Sequence, residues 1–123
     1  MKKLIKFLVA SLVAIFAVSS LAACSATETL VMKSVAAVID VRTPEEFATG
    51  HLDGALNFDI QGAEFDSQLS TLDKAANYVI YCRSGNRAGQ AISYMQENGF
   101  TGTLTNAGSV DDAAAATSIS IVQ

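Results

Sequence analysis

The part of the sequence best suited to chemistry surrounds one cysteine, Cys82. Residues 82–87 read Cys-Arg-Ser-Gly-Asn-Arg, so two arginines and a glycine lie within five positions of the thiol. A cysteine reacts as the thiolate, and electropositive surroundings favour that form by lowering the thiol pKa below its free value of about 8.5. This pattern predicts a nucleophilic thiolate in a pocket that also stabilises an anion bonded to the sulfur or approaching it.

The elements on either side of Cys82 are suited to building such a pocket. Residues 77–81 form a mostly apolar run, which predicts a buried strand with Cys82 at its carboxyl end, where open α/β sheets bind ligands. Gly85 and Asn86 tolerate unusual backbone angles, and a helix is expected to begin at about Arg87. A tight loop there turns amide N–H groups inward and adds the positive end of the helix dipole. The alternative is an inert buried cysteine that ends a core strand.

The rest of the chain predicts strands that alternate with helices. Thr43 and Glu46 form a capping box around Pro44, and Gly50 ends the short helix that they begin. Other strands are expected at residues 35–41, 55–57 and 103–105, and other helical segments carry Phe65, Leu69 and Leu72, then Ala88, Ala91, Ile92 and Met95, then residues 111–116. The alternation predicts an α/β sandwich with a mainly parallel central sheet and helices on both faces.

The N-terminus has the pattern of a bacterial lipoprotein signal. A basic stretch at residues 1–6 precedes an apolar run at residues 7–18, which is shorter than the roughly 20 residues that a membrane-spanning helix needs. The Leu-Ala-Ala-Cys that ends at Cys24 resembles a lipobox, in which the cysteine becomes the lipidated first residue. We expect a signal peptide at 1–23, a tether at 24–34 and one domain at 35–123. An uncleaved anchor, or ordinary cleavage that leaves Cys24 free, is the alternative.

Charge and cysteine content narrow the function. The first 23 residues hold three of the eight basic residues and none of the twelve acidic ones, so the remaining chain has a formal net charge of −7. An acidic chain of this kind argues against nucleic acid as a partner. If a lipid such as palmitate modifies Cys24, Cys82 is a lone thiol in an oxidising compartment, the periplasm or the cell exterior. A lone thiol is at risk of oxidation there, so its presence indicates that the thiol has a function.

Several motifs resemble those of the rhodanese (sulfurtransferase) family, especially its small secreted forms of the phage-shock-protein-E type. The resemblance covers about residues 35–112 and places the motifs in the family's order and at its usual separations. They are Ile-Asp-Val-Arg-Thr-Pro-Glu-Glu-Phe at 39–47, Gly-His-Leu-Asp-Gly-Ala-Leu-Asn at 50–57, Tyr-Cys-Arg-Ser-Gly-Asn-Arg-Ala at 81–88, Gly99-Phe100 and Asn106-Ala107-Gly108.

The resemblance implies a function for the cysteine loop. Cys82 takes a sulfane sulfur from thiosulfate or a persulfide and hands it to a thiophilic acceptor such as cyanide or a thiol, which is two-step covalent catalysis. The backbone N–H groups of residues 83–87 form the cradle around the persulfide. Arg83 at the rim binds a sulfonate or sulfite group or is a solvated surface residue, and Ser84 donates to the outer sulfur or shapes the turn. Arg87 locks the loop through internal hydrogen bonds.

Three residues near the expected site are interpreted as structural. Asp40 and Arg42 end a neighbouring strand and are expected to pair with backbone or with each other; direct contact with the substrate is the alternative. His51 is the one histidine, and in this motif it follows the helix-ending Gly50, so we expect its hydrogen bond to fix the turn. A low-pKa thiolate needs no general base. No metal or cofactor is implied, and single-domain members of the family are compatible with a monomer.

Two other functions share this architecture. Dual-specificity phosphatases of the cell-division-cycle type and related arsenate reductases have five residues between the cysteine and the arginine, whereas four separate Cys82 from Arg87. The shorter loop suits one added sulfur atom better than a tetrahedral phosphate. A non-catalytic lipoprotein module that stores persulfide or binds a partner is the other alternative. The chain also departs from the family after Asn106, where many members have two glycines and then an aromatic residue. This chain has Ala107, Gly108 and Ser109 there, which leaves substrate preference and rate open.

Overall fold

The computed structural model describes residues 32–123. The expected signal peptide, Cys24 and most of the expected tether lie outside this range. Residues Met32–Ser34, at the end of that tether, form a short 3-10 helix, and Met32 packs against one of the two apolar clusters of the core. In the described part of the chain, no helix is both long enough and apolar enough to cross a membrane.

Strands and helices alternate along the described chain. The strands are β1 (Val35–Asp40), β2 (His51–Leu52), β3 (Leu56–Asn57), β4 (Asn77–Tyr81), β5 (Leu104–Asn106) and β6 (Ile121–Val122); the α-helices are α1 (Pro44–Thr49), α2 (Phe65–Leu69), α3 (Asn86–Glu97) and α4 (Val110–Thr117).

The central sheet has four strands in the order β3-β1-β4-β5, and each neighbouring pair is parallel. β1 and β4 lie at its centre, where Ile39 is level with Ile80 and Asp40 with Tyr81. Because the strands are parallel, their carboxyl ends meet at one edge. The end of β1 therefore lies beside Cys82, and the expected mainly parallel sheet is confirmed.

The two faces of the sheet bury separate apolar clusters. Tyr78 and Ile80 point to the face covered by α2 and α3, whereas Val79 and Tyr81 point to the face covered by α4. This alternation follows from the two-residue period of a strand. Each fully buried aliphatic or aromatic side chain contributes about 1.5–3 kcal/mol to folding. Helices thus cover both faces, as expected.

The structure corrects several sequence-based bounds. β5 begins one residue later than expected, and Leu72 lies beyond the end of α2. The expected last helical turn is the eight-residue helix α4, which begins with a capping box between Ser109 and Asp112. β2 pairs in antiparallel fashion with β6, and neither strand was expected, because a two-residue strand has too short a pattern to detect.

Candidate active site

Cys82 follows β4 directly and begins the loop that leads into α3. Its backbone N–H donates to the carbonyl oxygen of Gly108 at 3.0 Å, which ties the loop to the segment after β5. The side chain has 0% exposure. Cys82 is also the one free cysteine among the described residues. The structure thus places a buried thiol at the carboxyl edge of the sheet, where the sequence analysis expected the site.

Backbone amides surround the sulfur. The N–H of Gly85 donates to Sγ at 3.0 Å, and that of Ala88 donates at 3.5 Å. Burial alone raises the pKa of the Cys82 thiol, but four amides together outweigh it and hold the pKa below its ordinary value; they belong to Ala88, Ser84, Gly85 and Arg87. Of residues 83–87, which the sequence assigned to the cradle, Ser84, Gly85 and Arg87 contribute an amide, and Ala88 adds one from outside that range.

The loop conformation requires glycine at position 85. Gly85 has a φ of 94° and precedes the first residue of α3. A Cβ there would lie 3.4 Å from the Cα of Gly108, besides the strain that a side chain meets in the left-handed region. This conformation lets the Gly85 N–H point back at the sulfur while its carbonyl oxygen accepts the N–H of Gly89 in the first turn of the helix.

Arg87 forms a bidentate ion pair with Glu46 of α1. Its two terminal nitrogens donate to the two carboxylate oxygens at 2.8 and 2.9 Å. The same bonds hold the pKa of Glu46 down at about 2, with smaller contributions from the Thr43 cap, and they raise that of Arg87. Arg87 was expected to lock the loop through internal hydrogen bonds; it does form such bonds, and their partner is the carboxylate of another helix. Thr43 does cap α1, and Glu46 accepts from its hydroxyl.

Asp40 and Arg42 form a buried ion pair at the end of β1. The Arg42 Nη2 lies 2.7 Å from the Asp40 carboxylate, and the same nitrogen donates to the Gly50 carbonyl oxygen at 2.7 Å. Burial lowers the pKa of Arg42, but the hydrogen bond and charge of Asp40 outweigh it and raise the pKa overall. The pair thus joins β1 to the end of α1, in keeping with a structural interpretation.

His51 lies at the turn after α1. Its Nδ1 is 2.8 Å from the Phe47 carbonyl oxygen, and its ring stacks on the Phe47 ring with centroids 3.6 Å apart. Both contacts hold the turn that carries Gly50, whose carbonyl oxygen receives Arg42. These contacts fit the expected role of His51 in fixing the turn.

A surface pocket of about 390 Å³ opens beside the cysteine loop. Its lining combines Arg83, which directly follows Cys82 and is exposed, with residues at the end of β1 and on α1. Of these, Arg42 and Glu46 are already in ion pairs, and the other two are the exposed Glu45 and Thr49. Ser84 is exposed beside it. Two other depressions, of about 340 and 250 Å³, lie along Asp66 and Tyr94, and no residue of the cysteine loop lines them. The described residues contain no group of histidine, cysteine and carboxylate side chains that would hold a metal ion.

Three further residues lie at the site, and the sequence did not predict them there. The Ala88 amide faces the sulfur, Glu46 pairs with Arg87, and the Asn106 side chain bonds Gly85. The predicted helix start near Arg87 could have indicated Ala88, because the first amides of a helix have no hydrogen-bond partner within the helix. For the other two, the partners are 41 and 21 positions apart, and no local pattern reports such pairs.

The fold and this site define a class of α/β proteins in which a cysteine at a strand end is enclosed by a loop of backbone amides. Within that class, the chain belongs to the rhodanese-like domain family, which it matches over residues 25–116. The match confirms the expected fold, and it begins ten residues before β1.

Named relatives are sulfurtransferases. The chain is 34% identical over 76 residues to the thiosulfate sulfurtransferase PspE of Escherichia coli K12, covering 62% of this chain and 72% of that protein. It is 40% identical over 63 residues to the putative sulfurtransferase YtwF of Bacillus subtilis 168, covering 51% of this chain and 59% of that one. A solved rhodanese with anions from E. coli superposes with a TM-score of 0.59 at 30% identity, covering 71% of this chain and 96% of that one.

Proposed function

We propose that this protein is a sulfurtransferase in which Cys82 carries a sulfane sulfur as a persulfide. The observation that carries the proposal is the pair of N–H groups that point at Sγ, one from Gly85 in the loop and one from Ala88 in the first turn of α3. Such a cradle stabilises a thiolate before the reaction and a persulfide anion after it, because both place negative charge at the end of this side chain. Family membership and the names of the relatives point the same way.

The donor step uses thiosulfate or a persulfide. The Cys82 thiolate attacks the outer sulfur of thiosulfate, a new sulfur–sulfur bond forms, and the bond to the sulfonate group breaks. The bonding electrons leave with sulfite, and Cys82 holds the persulfide anion. Arg83 is exposed beside the loop, where its charge compensates the two negative charges of the donor.

The acceptor step restores the enzyme. Cyanide or a thiolate attacks the outer sulfur of the persulfide, the cysteine sulfur leaves as the thiolate, and thiocyanate or a new persulfide departs. No proton is needed at the leaving sulfur because the amides already stabilise the thiolate. The acceptor step therefore needs no general base, which is consistent with His51 holding the turn after α1 instead.

Burial of the sulfur places a demand on the donor step. The Cys82 side chain has no exposed surface, whereas Arg83 and Ser84 are exposed above it. Access to the sulfur therefore requires a displacement of the residues that cover it. A narrow opening of this kind favours small, polarisable donors over bulky ones.

Export and lipid anchoring at Cys24 are a separate part of the proposal. They rest on the lipobox-like residues before Cys24 and on the basic and apolar stretches that precede them. In the proposal, the domain acts as a monomer at a bacterial membrane, on the periplasmic side or the cell exterior. Radioactive palmitate that labels the wild-type chain but not Cys24→Ala in a bacterial host supports the anchor, and equal labelling contradicts it.

Steady-state kinetics test the proposed activity. With thiosulfate and cyanide varied together, a sulfurtransferase of this kind gives thiocyanate with parallel double-reciprocal lines, the signature of a ping-pong mechanism. Cys82→Ser should give none. Hydrolysis of an aryl phosphate without thiocyanate formation would favour the phosphatase alternative, and inactivity in both assays with wild-type folding would favour a non-catalytic module.

A further inference from the structure

The side-chain amide of Asn106, at the end of β5, bridges two backbone groups beside the cysteine loop. Its Nδ2 donates to the carbonyl oxygen of Gly85 at 2.9 Å, and its Oδ1 accepts from the N–H of Gly108 at 3.0 Å. One planar amide thus uses a donor and an acceptor at once, on two different segments. It sets the spacing between the loop and the segment after β5.

Both bridged residues are bonded to Cys82. The Gly85 N–H donates to Sγ at 3.0 Å, and the Cys82 N–H donates to the Gly108 carbonyl oxygen at 3.0 Å. Four hydrogen bonds therefore form a closed ring, which runs from Sγ through Gly85, Asn106 and Gly108 back to the amide of Cys82 itself. Asn106 is the one side chain in this ring besides the thiol.

We propose that Asn106 is a positioning residue for the sulfur chemistry: it holds the Gly85 N–H on Sγ and the Gly108 carbonyl on the Cys82 amide, without contacting the substrate. Its effect on turnover rests on the proposed function. Its effect on the thiol does not, because the ring exists before any sulfur is transferred.

The conformational freedom of two glycines explains why the loop needs a side chain that restrains it. Gly85 and Gly108 both have positive φ values, 94° and 78°, and glycine visits this region and its mirror image about equally. The helix bond from Gly89 restrains the Gly85 carbonyl on one side, and Asn106 adds a second donor from the neighbouring strand. The Gly85 carbonyl belongs to the peptide unit shared with Asn86, and the Gly85 N–H to the unit shared with Ser84. Fixing the carbonyl narrows the φ and ψ values open to Gly85, and this restricts the direction of the N–H.

The test compares Asn106→Ala with Asn98→Ala in the full chain. Asn98 is a matched control, since it is also exposed and its Nδ2 also donates to one backbone carbonyl, that of Tyr94 at the end of α3. The readouts are the pH dependence of Cys82 alkylation by iodoacetamide and the free energy of unfolding in urea. Asn106→Ala should move the alkylation midpoint to higher pH and slow alkylation at neutral pH roughly threefold to tenfold. Asn98→Ala should leave the midpoint in place, whatever stability it loses.

An unchanged midpoint in Asn106→Ala would overturn the proposal, and so would equal shifts in both variants, which would indicate general loosening. If Asn106→Ala does not fold, Asn106→Ser is the second variant. Its shorter polar side chain suits the surface but does not span both segments, so the same upward shift is expected. The alkylation readout needs no sulfur transfer, so a wild-type protein without thiosulfate turnover would count against the proposed function while leaving this test intact.

Discussion

Glu46 and Arg87 lie 41 positions apart in the sequence, yet their side chains form two parallel hydrogen bonds of 2.8 and 2.9 Å between α1 and α3. Arg87 is the second residue of α3, and its own amide and that of the next residue, Ala88, are among those that face the sulfur. The pair therefore fixes the start of that helix from outside the loop. A planar guanidinium suits this task better than an ammonium, because its fork matches both carboxylate oxygens.

Replacing Glu46 with Gln should lower the free energy of unfolding by about 1 kcal/mol at neutral pH, since the pair is partly exposed and screened. The pKa of Glu46 falls from its ordinary 4.5 to about 2 on folding. Its contribution is thus fully present above about pH 4.5 and is lost as the pH falls towards 2. Urea unfolding of both proteins between pH 2 and 7 measures the difference.

Glu45→Gln is the matched control for that experiment. Glu45 is the neighbouring glutamate on α1, is exposed, and forms no ion pair with any residue between 32 and 123. It should change the free energy of unfolding by less than about 0.5 kcal/mol at every pH. Equal losses in the two variants would contradict the assigned role of Glu46.

The thiol of Cys82 should titrate below its ordinary pKa. Amide hydrogen bonds lower that pKa in the folded protein, so the alkylation rate should reach half its maximum at a lower pH in the folded protein than in the urea-unfolded protein, where the thiol has the pKa of a free cysteine. Because the sulfur is buried, iodoacetamide should react faster than a bulky aromatic disulfide, and urea should reverse that order. A midpoint at or above the free value in the folded protein would contradict the cradle.

Arg83 should act on the donor alone. Arg83→Gln should lower kcat/KM for thiosulfate about tenfold, roughly the value of one charge-assisted hydrogen bond, while kcat/KM for cyanide changes less than threefold. Arg83→Lys keeps the charge and should recover part of the loss. Equal decreases for both substrates would indicate damage to the loop and would contradict a donor-binding role.

Asp40 should be essential to stability. Asp40→Asn leaves the buried guanidinium of Arg42 without its counter-charge, which costs about 3 kcal/mol or more. Asp53→Asn, at an exposed position, is the control and should stay near the wild-type value. Thermal unfolding monitored by circular dichroism compares them, and a wild-type midpoint in Asp40→Asn would refute the structural assignment.

Local patterns in the sequence were sufficient to predict the strand, the loop and the helix cap that surround the site. The apolar run before Cys82, the glycine at position 85 and the Thr43 cap each act within a few residues, so their consequences can be inferred without the fold. Arg42 was also paired correctly, because its partner Asp40 lies two positions away.

Contacts between distant segments could not be inferred in the same way. Arg87 was expected to form internal hydrogen bonds, but the sequence did not indicate that the partner is Glu46 of α1. Asn106 joins Gly85 only because β5 lies beside β4 in the sheet. The pairing of β2 with β6 depends on two residues from each segment, about 70 positions apart, and such a pattern is too short to be recognised in a sequence.

Intact-mass spectrometry after incubation with thiosulfate tests the central claim most directly. The account predicts that the protein gains the mass of one sulfur atom, that peptide mapping assigns it to Cys82, that cyanide removes it, and that Cys82→Ser never acquires it. A folded wild-type protein that gains no sulfur from thiosulfate or from a small persulfide, or that gains it equally in Cys82→Ser, would contradict the account.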